Sequence, residues 1–114
     1  MVARRVPDRG DVVWVDLNPT RGHEQARVRP ALVLSPRSYN RKTSLILACP
    51  ITSHAKGYPF EVPISVQKEK IEGVVLVDQV RSLDWRERNV RYAGKATDDV
   101  LDEVTGKLTT LISW

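Results

Sequence analysis

Residues 28–36 read VRPALVLSP: a valine, an arginine and a proline, then four apolar residues, then a serine and a second proline. The apolar run at 31–34 is typical of a short strand that is buried on both faces, and the Ser-Pro pair predicts its end. Pro30 restricts the residue before it to extended geometry, so the backbone of Arg29 is fixed where the strand begins. This placement suits a side chain that is held still for chemistry, although a solubilising charge at a strand end would have the same pattern.

The rest of the chain predicts a mostly-β fold. Runs of β-branched and aromatic residues, separated by proline and glycine, predict further short strands. These cover residues 11–16, 45–49, 60–64, 73–77 and 90–96. Pro50 is expected to end the strand at 45–49, because proline cannot donate to a strand ladder. Short strands at this spacing favour a small antiparallel barrel or a strongly curled sheet.

A helical period replaces the β pattern near the C-terminus. Thr97 is a suitable N-cap, and Asp98 and Asp99 suit the positive end of a helix dipole. Six apolar residues then fall on one helical face and are expected to pack against the core: Val100, Leu101, Val104, Leu108, Leu111 and Ile112. The expected fold class is α+β, mostly β, with one C-terminal helix packed on the barrel or curled sheet. We expect residues 1–114 to form one domain.

The charge balance is modestly basic. Lys and Arg number 18 against 14 Asp and Glu, which gives a net charge of +4 and a pI near 9.5. The first two thirds of the chain are more basic than the rest; a one-sided positive field there would attract phosphates, and ordinary solvated loops would account for it equally well. No apolar run reaches the ~20 residues of a membrane helix, and we expect no signal peptide. The single cysteine, Cys49, is interpreted as a buried small hydrophobe in a protein of the reducing cytoplasm.

Motifs for metal binding or covalent catalysis are missing from the sequence. His23, His54 and Cys49 have no metal-ligand spacing such as C-x-x-C or H-E-x-x-H, so we expect no metal and no other cofactor. There is no G-x-S-x-G motif and no glycine-rich phosphate loop. Polar residues are concentrated instead in the loop at 22–29 and in Thr52-Ser53-His54. Arg29 and Thr52, each at a strand end, could flank one phosphate, or could belong to scattered surface polarity.

Six blocks of the sequence carry a family resemblance. They are RRVPDRGDVVWVD (4–16), NPTRGHEQ (18–25), RPALVLSP (29–36), YN (39–40), KGYPFEV (56–62) and GVVLVDQVRSLDW (73–85). In order and spacing, over nearly the whole chain, they resemble the MazF/PemK family of toxin endoribonucleases. The resemblance implies an SH3-like barrel with a helix, a homodimer, and metal-independent cleavage of single-stranded RNA at short sequences. It also implies a cognate antitoxin whose acidic, flexible C-terminal segment covers the RNA groove.

The resemblance also implies roles for individual residues. The family's catalytic arginine falls on Arg29 and its catalytic threonine on Thr52, and His23 matches a residue given acid–base or binding roles. The expected RNA-binding residues, from the resemblance and from the chemistry of the loops, are Glu24, Gln25, Arg27, Ser53, Lys56, Phe60, Asp78 and Gln79. One branch of the family has an arginine two residues before Asp78, where this chain has Leu76, and the difference weakens a mechanism centred on Asp78.

In the implied reaction, the 2′-hydroxyl of the RNA attacks the adjacent phosphate and gives a 2′,3′-cyclic phosphate and a 5′-hydroxyl end. Arg29 would stabilise the phosphate charge through its planar fork of donors, and Thr52 would donate a further hydrogen bond. His23 or solvent would take the proton, because a pKa above about 12 keeps arginine protonated. Two other functions suit such a barrel, namely a toxin that poisons DNA gyrase and a non-catalytic RNA-binding module. The Arg29-Pro30 and Thr52 matches favour the ribonuclease, which would inhibit translation and growth.

Overall fold

The computed structural model describes residues 5–17 and 28–113. Within these ranges, seven strands and two α-helices follow one another along the chain. They are β1 (Asp11–Asp16), β2 (Val28–Val33), α1 (Arg37–Thr43), β3 (Leu45–Thr52), β4 (Glu61–Val66), β5 (Ile71–Leu76), β6 (Arg81–Asp84), β7 (Arg91–Lys95) and α2 (Asp98–Ile112). Short 3₁₀ turns cover Gln67–Glu69 and Val77–Gln79. None of the described helices is long and apolar enough to cross a membrane.

The strands form a curled antiparallel sheet in the order β4-β5-β3-β2-β1-β7, with β6 beside β3. One edge of β3 pairs with β2. On its other edge, residues 45–48 pair with β6 and residues 51–52 pair with β5. The sheet therefore divides into two halves that share β3. This curled sheet and the C-terminal helix confirm the predicted fold class.

The predicted strand end at Pro50 is wrong, because β3 continues to Thr52. The N–H of Leu34 donates to the Leu47 carbonyl at 2.8 Å, and bonded pairs alternate along an antiparallel ladder. Ala31 lies opposite Pro50 in the β2–β3 register, and by this alternation the two exchange no hydrogen bonds. The Pro50 nitrogen therefore faces the other edge of β3, where the partner strand changes from β6 to β5. A missing donor is tolerated there because no ladder bond is lost.

Two apolar clusters cover the opposite faces of the sheet. Leu32 and Cys49 belong to the first cluster, which also contains Val104 of α2. Ala31 and Val33 belong to the second cluster, together with residues of β1, β3 and β6. Successive residues of β2 thus enter different clusters, as period-two alternation requires. This confirms that the apolar run after Pro30 is buried on both faces.

The helix α2 begins and packs as predicted, but its last turn does not. The Thr97 hydroxyl accepts a hydrogen bond from the Val100 N–H at 3.3 Å, which confirms the N-cap. Val104 is fully buried. Leu111 and Ile112 are 47% and 66% exposed, so the expectation that they pack against the core is wrong. Neither residue belongs to the core cluster against which the rest of α2 packs.

The sequence-based prediction missed both α1 and β6. The buried side chain of Asn40 organises α1, because its Nδ2 donates to the carbonyls of Pro7 at 2.8 Å and Ser35 at 2.9 Å. The Asn40 carbonyl accepts a hydrogen bond from the Trp85 indole N–H at 2.8 Å. A short polar helix held by one buried amide has no apolar stripe that would reveal it. β6 is equally hard to detect, since Leu83 is its one buried residue.

Candidate functional site

The C-terminal end of β3 borders a pocket of about 450 Å³. We call it the Thr52 pocket. It is lined by Thr52, His54, Lys56, Tyr58, Phe60, Glu61, Leu76, Asp78 and Gln79. Five residues that the sequence analysis singled out are therefore brought together here: Thr52, Lys56, Phe60, Asp78 and Gln79.

Strand register explains how the wall of the Thr52 pocket forms. Thr52 lies opposite Val74 of β5, and Glu61 of β4 lies opposite Leu76 of β5. Val74 and Leu76 are two residues apart in one strand, so they point to the same face of the sheet. Thr52, Glu61 and Leu76 therefore share this face. The 3₁₀ turn Val77–Gln79 continues directly from β5 and adds Asp78 and Gln79, both exposed.

The Thr52 side chain closes its own turn. Its Oγ1 accepts a hydrogen bond from the backbone N–H of His54 at 3.1 Å, as serine and threonine often do where a chain leaves a strand. A hydroxyl can accept through its lone pairs while donating its hydrogen elsewhere. The Thr52 O–H can therefore donate to an oxygen atom of a bound ligand.

Arg29 lies in β2, opposite Val15 of β1, and is half-buried. It lines a second, smaller depression of about 130 Å³. We call this the Arg29 depression; its other lining residues are Trp14, Pro30, Ile51, Ser53, Lys70, Ile71 and Glu72. Ser53, an expected RNA contact, therefore lies beside Arg29 and not in the Thr52 pocket.

The two depressions are neighbours, because Arg29 lies near the start of β2 and Thr52 lies at the end of the adjacent β3. The β2–β3 register pairs Ala31 with Pro50 at its last step. Continued by two residues on each strand, the same register sets Arg29 across from Thr52, with both side chains on one face. Thr52 and Ser53 are consecutive, yet each lines a different depression. The structure thus brings Arg29 and Thr52 to adjoining ends of two neighbouring strands but not into one cavity.

Arg29 carries a guanidinium that is available to an anion. Among the described residues the guanidinium makes no hydrogen bond and no ion pair. Trp14 forms one wall of the depression, and its indole N–H is held by the Glu69 carboxylate at 2.9 Å. Trp14 is partly buried and packs against the first core cluster. A planar fork of donors on a rigid strand suits bidentate binding of a phosphate.

Glu61 fixes the loop that precedes β4. Its Oε1 accepts a hydrogen bond from the Gly57 N–H at 2.9 Å, and its Oε2 accepts one from the Lys56 N–H at 3.1 Å. The N–H of Glu61 donates to the Tyr58 carbonyl at 3.2 Å. Glu61 and Leu76 were not predicted as site residues, and His54 was noted only as part of the polar stretch Thr52-Ser53-His54. Glu61 has the pattern of a solvent-facing strand residue, and a carboxylate four residues after a turn glycine is a weak signal.

Four predicted site residues, His23, Glu24, Gln25 and Arg27, lie outside the described ranges. Their roles stay predictions. The sequence alone supports them, through the resemblance and the basic character of their loop.

The thiol of Cys49 has no place in the site chemistry. Burial, with a smaller effect from the negative charge of Asp78, raises the pKa of Cys49 to about 12. The thiol is therefore protonated at neutral pH and is not a nucleophile, in line with its interpretation as a small buried hydrophobe. In the part of the chain that the structure describes, no group of three or more His, Cys, Asp or Glu side chains is arranged to hold a metal ion.

Comparison with known proteins gives the family. Residues 8–112 match the model for PemK-like, MazF-like toxins of type II toxin–antitoxin systems. The chain belongs to this family. The resemblance in the six sequence blocks is thereby confirmed.

Relatives within the MazF/PemK family cover the chain almost completely. It is 49% identical to the endoribonuclease toxin MazF of Escherichia coli (strain K12), over 98% of this chain and 99% of that protein. It is 38% identical to the endoribonuclease toxin ChpB of the same organism, with 98% and 99% covered. A crystal structure of MazE–MazF from Deinococcus radiodurans matches with a TM-score of 0.89 and 53% identity, over 96% of this chain and 97% of that one. The curled sheet with its C-terminal helix is thus the fold of solved MazF proteins.

Proposed function

We propose that this chain is the toxin of a type II toxin–antitoxin pair and an endoribonuclease that cleaves single-stranded RNA without a metal ion. The observation that carries the proposal is 49% identity to an endoribonuclease toxin over nearly the full length of both chains. Identity at that level over nearly the whole of both chains supports a shared activity. Cleavage of RNA in the cytoplasm would inhibit translation and arrest growth.

The surface around the two depressions supports single-stranded RNA as the substrate. Tyr58 is 60% exposed, and Phe60 is half-buried in the same pocket. Aromatic faces of this kind bind unstacked bases, while basic groups such as Lys56 bind the backbone. Gln79 and Ser53 add side-chain groups that can hydrogen-bond base edges. The combination of stacking, charge and edge contacts is typical of sequence-dependent recognition of single strands.

The proposed reaction needs charge stabilisation more than it needs a protein nucleophile. The RNA 2′-oxygen forms a bond to the adjacent phosphorus and loses its proton, while the bond from phosphorus to the 5′-oxygen breaks and that oxygen gains a proton. The products are a 2′,3′-cyclic phosphate and a 5′-hydroxyl. Arg29 and Thr52 would donate hydrogen bonds to the phosphate oxygens, where negative charge grows in the transition state. One such fixed donor is worth roughly 3–4 kcal/mol, or about 10²–10³ in rate.

Proton transfer falls to a group that titrates near neutral pH. We propose His23 or solvent for this step, since an unperturbed histidine pKa near 6.5 matches the operating range. The Thr52 pocket contains a second histidine, His54, whose backbone is already bonded to Thr52. Replacing each histidine in turn distinguishes the two, because loss of the proton acceptor removes its titration from the pH–rate profile.

We also propose a homodimer and a cognate antitoxin as partners. Solved relatives include MazE–MazF complexes. An acidic antitoxin segment would complement the basic charge of the chain, whose net value is +4, and would cover the RNA surface. Exposed apolar side chains near α2, Leu47, Leu111 and Ile112, support a protein–protein contact on that side of the molecule.

One experiment tests the proposed function directly. Purified protein is incubated with a defined RNA in excess EDTA, and the ends of the products are analysed. We expect cleavage with 5′-hydroxyl and 2′,3′-cyclic phosphate ends, because no step uses a metal ion. Binding without cleavage would favour a non-catalytic RNA-binding module. Products with 5′-phosphate ends would contradict the proposed mechanism.

A further inference from the structure

We propose that Glu61 is a positioning residue for RNA binding, which acts through the backbone of Lys56 and Gly57 to keep Lys56 and Tyr58 at the Thr52 pocket. This inference rests on the proposed RNA-cleaving function and adds a residue that the resemblance did not indicate. Glu61 does not need to touch the RNA. Its role is to hold a loop that does.

The loop before β4 has no apolar anchor of its own. Residues 53–59 are all exposed, so no buried side chain from this segment holds it against the core. Loops of this kind are held in place by hydrogen bonds or are mobile. The fixed points that the structure provides are polar: the Thr52 hydroxyl at one end, the Glu61 carboxylate in the middle, and the Lys107 ammonium, which donates to the Pro59 carbonyl.

The central fixed point consists of two charge-assisted hydrogen bonds. The Glu61 carboxylate takes two consecutive backbone N–H groups, at 2.9 Å from Gly57 and 3.1 Å from Lys56, and hydrogen bonds to a charged acceptor are stronger than neutral ones. The geometry depends on Gly57, whose φ of +81° lies in the left-handed region that favours glycine. Glu61 itself begins β4 and is paired with Leu76 of β5. The carboxylate therefore ties an exposed loop to the rigid sheet.

This arrangement also answers an electrostatic question. A carboxylate on the wall of an RNA pocket would repel phosphates unless its charge were directed elsewhere. Glu61 points its charge at two amide groups of the loop, whose dipoles it satisfies. The gain is preorganisation: Lys56 and Tyr58 lose less conformational freedom when RNA binds, which strengthens binding without a new contact.

The test compares Glu61→Ala and Glu61→Gln in steady-state cleavage of a defined RNA oligonucleotide in EDTA. We expect Glu61→Ala to raise KM about tenfold with kcat within about twofold, since two ordered side chains are released from the loop. Glu61→Gln should stay within about threefold of the wild type, because the amide keeps Oε1, which accepts from Gly57 and also lies 3.2 Å from the Lys56 nitrogen. Glu87→Ala removes an exposed acidic side chain outside both depressions and is the matched control.

A second variant reaches the same loop without removing a charge. Gly57→Ala places a methyl group in open space, with no atom within 4 Å, but strains the left-handed backbone. It should reproduce the rise in KM, and amide hydrogen exchange at Lys56 and Gly57 should be faster in Glu61→Ala than in the wild type.

Several results would overturn the inference. An unchanged KM in Glu61→Ala would remove the positioning role. A rise in KM in Glu61→Ala without faster amide exchange at Lys56 and Gly57 would assign the effect to charge, and an altered cleavage sequence in Glu61→Gln would assign it to direct contact with a base. Wild-type protein that cleaves no RNA would overturn the proposed function itself, a failure that is distinct because no variant is involved.

Discussion

The Thr52 hydroxyl oxygen lies 3.1 Å from the backbone nitrogen of His54 and accepts its hydrogen. One side chain thus closes the turn after β3 and still has a hydrogen to donate. Thr52→Ser keeps both capacities, whereas Thr52→Val keeps the shape and loses both. We expect Thr52→Val to lower kcat about 10²-fold, the usual cost of one transition-state donor, and Thr52→Ser to stay within about tenfold. Single-turnover cleavage measures both, and equal activities for the two variants would contradict a donor role.

The rate of cleavage should depend on the guanidinium group of Arg29 and not only on its positive charge. Arg29→Ala removes the proposed phosphate donors, and we expect kcat to fall by about 10²–10³. Arg29→Lys keeps the charge but not the bidentate geometry, so most of the loss should remain. Arg41→Ala, on the exposed side of α1, is the control for net charge. A lysine variant with wild-type kcat would show that charge alone suffices.

The two histidines predict different pH–rate profiles. A general base works in its neutral form, so kcat/KM should rise with pH through a histidine pKa near 6.5. If His23 accepts the proton, His23→Gln abolishes this rise and His54→Gln keeps it. Profiles measured between about pH 5 and 8 decide between them. A rise that survives in His23→Gln and disappears in His54→Gln would transfer the role to His54.

Gly73 is required by the backbone around Thr52. A Cβ at Gly73 would lie 2.0 Å from the Thr52 carbonyl oxygen and 2.8 Å from its carbonyl carbon, so the strand has to move. We expect Gly73→Ala to destabilise the protein by about 1–3 kcal/mol and to reduce cleavage by displacing Thr52. Urea denaturation and the cleavage assay measure the two effects.

The contrasting substitution for Gly73→Ala is Gly106→Ala in α2. A Cβ there meets no atom within 4 Å, and alanine in a helix interior is worth about 1 kcal/mol over glycine. Gly106→Ala should therefore raise stability. A Gly73→Ala variant as stable as the wild type would contradict the close approach of β5 to β3.

Asp8 should make stability depend on acidic pH. The Arg37 backbone N–H, at 2.9 Å from Asp8 Oδ1, is the main cause of a pKa below the ordinary value of 3.8. A carboxylate with a lowered folded-state pKa contributes stability above pH 3.8, and this contribution is lost as the pH falls through the folded pKa. Asp8→Asn should be less stable than the wild type at pH 7. The difference should shrink below pH 3.8 in denaturation curves; a constant difference would contradict it.

Features of the fold could be predicted from the sequence where they depend only on residues close together in the chain. The Thr97 cap and the apolar strand after Pro30 follow from short patterns, and both are confirmed. The prediction that β3 ends at Pro50 was wrong because the effect of a proline depends on which edge of the strand its nitrogen faces. That in turn depends on where the partner strands lie. Asn40 was overlooked since two of its partners, Pro7 and Trp85, come from distant parts of the chain.

The candidate site was likewise predictable from the sequence only in part. The residue types, an arginine and a threonine at strand ends, were visible in the sequence and matched the family. Their separation into two neighbouring depressions was not, because it depends on which strands and turns supply the other walls around each residue. Glu61 was missed because its partners are backbone amides, which every sequence contains.

The change of partner strand along β3 has a consequence for the order in which the site forms during synthesis. Arg29 belongs to the half of the sheet in which β1, β2, β6 and β7 join β3, while the wall opposite Thr52 comes from the β4–β5 hairpin. A chain emerging from the ribosome has no Thr52 pocket until that hairpin has been synthesised and has docked. The Thr52 pocket is therefore complete only after the residues up to Gln79 have left the ribosome.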